Sequence, residues 1–257
     1  MLGPLLLLTL TAAPPDSLVA KGRALADRAP REALALFQQA LAHDSLDYEA
    51  NWRAAAVLVN IGKDTPDTVK SATRDSAYLA AERFARRAIR VDSMAAEGHF
   101  ALAMALGRVA LTRSTKDRVR YAVEIYSAAT RTLAIDPRHD GAHHVLGLWH
   151  AEVMRTSGFN RFLARHLLGG KILGQASWAR AIEHLEAAVR LDPDRIFHRL
   201  DLARVYQDRK RYGDTRRELK KIAALPNQYR LDPRYHEEAA ALARAIAGRA
   251  DPKAADP

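Results

Sequence analysis

The stretch Ser177–Leu219 reads SWARAIEHLEAAVRLDPDRIFHRLDLARVYQDRKRYGDTRREL. Its apolar residues recur every three or four positions and do not alternate, which is the period of a helix face and not of a strand. Ala181, Leu185 and Ala188 form one stripe, small then large then small. Asp192-Pro193 ends that helix, because proline lacks an N–H and disfavours helical geometry in the residue before it. Leu202, Ala203 and Tyr206 form the stripe of a second helix, and Tyr212 opens a third.

The same frame recurs upstream. REALALFQQALAHDS supplies Ala33, Phe37 and Ala40, AYLAAERFARRAIRVDS supplies Ala81 and Ala88, and YSAATRTLAIDP ends at Pro137. Each is followed by a further helix pattern, beginning near Tyr48, Ala96, Asp140 and Ile196. This helix-turn-helix pattern resembles the tetratricopeptide repeat, in which small residues sit where helices A and B cross and a proline ends helix B. The A-helix starts lie 48, 44 and 56 residues apart, where a plain array gives about 34. Longer helices or inserted loops must fill the difference, most of all between Val153 and Ala176. The expected fold is an all-α helical solenoid of about eleven helices with inserts between repeats. The expected spans are 16–28, 31–43, 47–61, 68–91, 95–111, 117–135, 139–156, 177–191, 195–208, 212–225 and 233–248. Each pair has an apolar face that it buries only by stacking on its neighbours.

The segment Gly141 to Ala247 is also similar to a narrower group, the regulator of microtubule dynamics family. The features that carry the likeness are His144-Val-Leu146-Gly147-Leu-Trp149-His-Ala-Glu152, then Ala176-Ser177, Ala181-Ile182, Ala188 and Leu191-Asp-Pro193, and finally Glu237-Glu238-Ala239-Ala240. The resemblance implies a non-enzymatic helical domain associated with microtubules or organelle membranes, with an apolar cavity that takes lipid in some members. One departure stands at the N-terminus. MLGPLLLLTLTAAPPDS holds an apolar run from Leu2 to Ala13. It is too short to span a bilayer, which takes about 20 residues, and it fits the core of an export signal. Residues 1–13 are thus read as a signal peptide, 14–248 as one helical-repeat domain and 249–257 as a disordered tail. The expected location is outside the cytoplasm, periplasmic or extracellular, and cytoplasmic if the segment is not a signal. An exported chain does not meet cytosolic microtubules, so that partner is not carried over.

The chain has 257 residues, 48% of them hydrophobic, enough for a packed core. The formal charge is +10. Basic residues are spread among carboxylates on helix faces, with no clustered recognition helix, so nucleic acid is not the expected partner. There is no cysteine, which excludes disulfides, thiolate metal sites and a cysteine nucleophile. No glycine-rich phosphate loop, H-E-x-x-H or G-x-S-x-G occurs. No catalytic residue, cofactor or metal is expected.

The tetratricopeptide frame converts position into direction. Its second, fifth, ninth, twelfth and thirteenth A-helix positions line the concave groove. The fifth gives Trp52, Phe100, His144 and Leu200, and the ninth gives Ala56, Met104, Leu148 and Arg204. The second adds Glu49, Glu97 and Phe197, and the last two add Asn60, Arg108, Glu152 and Gln207. Large apolar groups dominate, and an exposed apolar lining marks a binding surface. The expected occupant is an apolar peptide or a lipid chain, with Arg108 and Arg204 near a polar end; an envelope scaffold binding other proteins is the alternative. The lysine and asparagine that clamp an acidic peptide terminus in other such domains are missing from the fifth and ninth positions. The insert SGFNRFLARHLLGGKILGQ places Phe159, Phe162, Leu163 and Leu167 on one face with Arg161 and Arg165 beside them, a lid or a membrane contact.

HHVLGLWHAEV, from His143 to Val153, gathers three histidines and a carboxylate. A helical metal site needs ligands three or four residues apart, and no such pair lies within it. His143 and His150 are about two turns, roughly 10 Å, apart on one face. They occupy the aromatic crossing positions of the repeat, which makes them structural, while His144 faces the groove.

Overall fold

In the computed structural model, which describes residues 15–66, 68–158 and 171–252, the chain is a succession of packed helix pairs. Eleven α-helices are present among the described residues: α1 (Pro15–Leu25), α2 (Pro30–His43), α3 (Tyr48–Gly62), α4 (Ala72–Val91), α5 (Ala96–Ala110), α6 (Thr115–Ile135), α7 (Asp140–Arg155), α8 (Trp178–Leu191), α9 (Ile196–Asp208), α10 (Tyr212–Ala224) and α11 (Asp232–Ala245). A 3-10 turn, Lys171–Gln175, precedes α8. No strand occurs among these residues. The export segment and the lid residues Phe159, Phe162, Leu163 and Arg165 lie outside the described residues.

Helix starts follow from local chemistry. The side chains of Asp47, Ser71, Ser114 and Ser177 each accept an N–H from three residues on, at 2.7 to 3.3 Å, which satisfies a donor the helix leaves open. His139 caps α7 in the same way, Nδ1 accepting from the Ala142 N–H at 3.1 Å. Three boundaries differ from the expected ones by three residues or more, one of them the end of α11 at Ala245 and not at 248. α1 ends at Leu25, three residues early, because Pro30 starts the next helix and the Ala29 N–H bonds back to Leu25 at 2.8 Å. α4 starts at Ala72 and not at 68, because the buried Arg74 guanidinium donates to the carbonyls of Pro66 and Val69, both at 2.7 Å, and ties the preceding segment into a loop. The long repeat spacing has two sources: α4 and α6 run to 20 and 21 residues, and an insert separates α7 from α8.

The pairs α1–α2, α3–α4, α5–α6, α7–α8 and α9–α10 pack lengthwise, and each stacks on the next. Close crossing needs small residues on one helix opposite large ones on the other. At α3–α4 the Tyr78 ring lies against Gly62, where any Cβ would overlap it. At α7–α8 the Leu185 side chain fills the space over Gly147, a Cβ there coming within 2.5 Å of its Cγ. Ala81, Ala85, Ala88, Ala181 and Ala188 are fully buried on the B helices. The tail expected to be disordered from residue 249 is held at its start: the Gly213 N–H donates to Asp251 Oδ1 and the Arg216 guanidinium to the Arg249 carbonyl, each at 2.8 Å.

Leu185 is 0% exposed in the seam that joins the two halves of the chain. Leu185→Ala is expected to lower the unfolding free energy by about 3 kcal/mol, measured by urea titration. Gly147→Val should be at least as damaging, since its side chain meets Leu185 directly.

Candidate functional site

The concave side is built by the A helices α3, α5, α7 and α9, and α11 folds across its C-terminal end. Trp52, Met104 and Leu148 are half-buried on successive A helices, Trp52 and Met104 resting on the central core. The Arg53 guanidinium lies 4.2 Å over the Trp52 ring. Phe100 is half-buried too, but it is spent on packing: its ring sits 4.4 Å from His139 and against Gly141 at the start of α7. Arg108 faces α11, where its charge acts on the Tyr235 phenol.

The C-terminal half of the expected lining is arranged differently. Leu200 is core and not lining: it is 1% exposed, enclosed with Ile196, Leu219, Ile222, Ala239 and Ile246. The reason is α11, whose apolar stripe seats on α9 and covers the fifth position there. Arg204 does not offer a free charge to a ligand, because it bonds Asp201 at 2.8 Å and Glu238 of α11 at 2.6 Å. His144 is 8% exposed; its Nε2 meets Asp201 Oδ2 at 3.0 Å, and its ring stands edge-on to Phe197 at 4.8 Å. It fastens α7 to α9 instead of facing open space. Phe197 carries the contact onward to Tyr235 at 6.0 Å. Glu152 is exposed and pairs with Arg155, which reaches on to Asp208 of α9 at 2.5 Å.

A second set of contacts draws the ends of the superhelix together. Arg230 pairs with Asp64 and donates to the Asn60 carbonyl at 3.1 Å, and Arg234 donates to the Lys63 carbonyl at 3.1 Å. The Lys63 ammonium lies 5.7 Å over the Phe197 ring. The Arg230 and Arg234 contacts join residues more than 160 apart in sequence. One side of the concave space is thereby bridged from α3 to α11.

Behind the concave side, histidines fill the helix seams. His150 is 1% exposed, edge-on to Trp149 at 5.0 Å and stacked at 13° and 5.8 Å on His184 of α8. His184 Nδ1 also meets His143 Nδ1 at 3.0 Å, and His143 Nε2 meets the Pro137 carbonyl at 3.2 Å. That carbonyl only accepts, so His143 must carry its proton on Nε2 and take the Nδ1 proton of His184. His198 is 0% exposed and its Nε2 meets Asp140 Oδ2 at 2.9 Å. Asp140, Asp192 and His198 each bring a donor atom within 4.8 Å of the others. Their charges are already answered within the protein, by His198 on Asp140 and by Arg195 on Asp192 at 3.3 Å.

Burial shapes the titration of this seam. It pushes His150 down to about 4, with the His184 and Arg180 charges adding to the effect. Burial also takes His198 to about 4 despite the opposing Asp140 carboxylate, and it lowers His184, with the His143 charge adding. Burial alone would raise Asp140, but the His198 hydrogen bond and charge and the Gly141 N–H bring it to about 2. Burial likewise opposes ionisation of Asp201, and the His144 and Arg204 contacts overcome it, holding that carboxyl well below the usual range.

Sequence reasoning placed His143 and His150 at crossings, and they lie there. It missed Asp201, His184, His198, Tyr235 and Glu238. A signal was present in FHRLDLARVY: His198, Arg199 and Asp201 interrupt the core stripe of α9, and polar residues buried in a helix need partners on the next one.

The family model described as Regulator of microtubule dynamics protein 1-3 matches residues 16–247. The chain belongs to that family. The family match spans the α1–α11 array and so includes the N-terminal half, where sequence alone gave only the repeat pattern. No curated protein matches the chain significantly. Among solved structures, TTC0263, a thermophilic tetratricopeptide protein of Thermus thermophilus, superposes with a TM-score of 0.58 at 19% identity, over 87% of this chain and 98% of that one. A human IFIT1 dimer with m7Gppp-AAAA superposes with a TM-score of 0.53 at 16% identity, over 92% of this chain and 55% of that one. Both likenesses concern the fold, and they establish it as a tetratricopeptide-type solenoid.

The depressed histidines give a pH dependence with a definite sign. In the unfolded chain they bind protons near the ordinary value of 6.5, and in the folded chain His150 and His198 do so only near 4. The unfolded state therefore holds more protons across that window, and stability falls as pH drops from 6.5 towards 4, by about 2 kcal/mol per such histidine at pH 5. Urea midpoints at pH 7.5 and pH 5 should differ in the native chain, and His150→Phe should narrow the gap. An unchanged gap would assign the acid sensitivity elsewhere.

Proposed function

We propose that this chain is a non-enzymatic binding module that receives an apolar segment of a partner protein along the inner face between α3 and α7. The observation that carries this reading is the run of half-buried Trp52, Met104 and Leu148 on three consecutive A helices, beyond the part covered by α11. Apolar side chains aligned across neighbouring helices of a solenoid suit an extended or helical segment, which contacts one helix after another. Arg108, at the end of α5 beside Tyr235, is positioned to meet a polar end of that segment. Nucleic acid is the weaker partner: the basic residues are spread over many helix faces and interleaved with carboxylates, as Arg86 is between Glu82 at 2.9 Å and Glu124 at 2.5 Å, and no clustered basic recognition helix is present in the sequence.

A lipid chain is a second reading of the same lining, favoured by the large apolar side chains Trp52, Met104 and Leu148 on it. We propose further that residues 1–13 direct export, on the strength of the apolar run Leu2–Ala13. The exported chain would then act as a protein-binding scaffold of the envelope. Intact mass of the chain recovered from a fractionated native host tests this: a mature form lacking about the first 13 residues, in the exported fraction, is expected.

A photo-crosslinking residue at Leu148 should capture a protein partner in the native host, and one at Arg83 on the outward face of α4 should not. Trp52→Ala should weaken the Leu148 capture several-fold while leaving the far-UV spectrum unchanged. Acyl lipids released by organic extraction of the purified chain, with no protein captured at Leu148, would favour the lipid reading. Equal capture at both sites would defeat the inner-face assignment.

A further inference from the structure

Five A helices, α1, α3, α5, α7 and α9, each seat a B helix beside them. α11 is the sixth A helix, and no described helix takes the matching seat. An open groove of about 560 Å³ lies there between α10 and α11. Its floor is apolar and low, made by Leu219, Ile222, Ala239, Ala240 and Ala243. Short alanine side chains on both walls let another backbone approach closely, which is how the B helices seat elsewhere in this array.

Charge selects the kind of occupant. Arg216 and Lys220 border the groove. Their neighbours Arg217 and Lys221 spend their charges on Asp214 and Glu218. Arg216 donates to the Arg249 carbonyl at 2.8 Å, and neither Arg216 nor Lys220 has a carboxylate partner among the described residues. A second copy of this chain is a poor match, because it carries a net +10 and like charges would meet at the rim.

We propose that the α10–α11 groove is a docking seat for an amphipathic helix of another protein, with small and branched apolar residues on one face and glutamates or aspartates along its flank. The helix completes the last repeat: its apolar face covers the exposed Ala223, Ala240 and Ala243, and its acidic flank answers Arg216 and Lys220. This surface is separate from the inner face and does not depend on what binds there.

The test uses the full chain and a fluorescein-labelled synthetic helical peptide with a Leu/Ala face flanked by glutamates. A control peptide carries lysine in place of every glutamate. Fluorescence anisotropy should show saturable binding of the acidic peptide, weakened by salt, and none of the basic one. Lys220→Glu should weaken binding by about tenfold. Ala243→Trp should abolish it by filling the groove. Both positions are exposed, so both variants should keep the native far-UV spectrum and unfolding midpoint, and Trp52→Ala should leave peptide binding unchanged. The proposal is overturned if the acidic peptide does not saturate, if the basic peptide binds equally, or if Ala243→Trp has no effect. It is also overturned if sedimentation shows a dimer that Ala243→Trp dissolves, which would give the seat to a second copy.

Discussion

Close crossing of paired helices is the constraint from which the rest of this structure follows. Two helices approach to contact only where one presents glycine or alanine and the other a large side chain. Gly62 under Tyr78 and Gly147 under Leu185 are the clearest cases. Once those crossings are fixed, each A helix has a defined rotation about its axis. The residues on its far side then point inward whether or not any ligand requires it. Trp52, Met104 and Leu148 hold half-buried positions on successive A helices, although nearly 100 residues separate the first from the last.

The architecture was legible in the sequence because crossings are local. Ala181, Leu185 and Ala188 announce a helix face within eight residues, and Asp192-Pro193 announces its end. The inner lining was legible only as far as the array stays regular. Trp52, Met104 and Leu148 lie on half-buried A-helix positions, while Leu200 and Arg204 are covered by α11. No periodicity within α9 could say so, because the covering helix comes from a distant part of the chain and the repeat pattern prescribes no such fold-back. Arg230 on Asp64 and Arg234 on Lys63 are contacts of the same kind, set by the superhelix as a whole.

Fold-back of α11 has an electrostatic side. Arg204 is flanked by Asp201 and Glu238. Asp201 in turn receives His144. A buried carboxylate is tolerable only when its lone pairs are met by donors, and here His144 of α7 and Arg204 of α9 supply them. The arginine that looked available for a ligand is thus part of the fastening between α7, α9 and α11. Affinity for an anionic group at that end would require breaking it.

The polar seam also answers why α7, α8 and α9 carry histidines where a regular repeat carries larger aromatic residues. The insert between α7 and α8 breaks the spacing that elsewhere keeps successive pairs in register. Apolar surfaces alone tolerate small rotations and slides at modest cost. Hydrogen bonds between buried groups do not, because each unmet donor or acceptor carries a full desolvation penalty. The contacts of His198 Nε2 with Asp140, His144 Nε2 with Asp201 and His143 Nδ1 with His184 all form in a single arrangement of the three helices. The seam therefore supplies, through directionality, the register that the interrupted repeat no longer enforces through length. Its cost falls on the acid side, where buried His184 and His198 take up protons less readily than an imidazole in water.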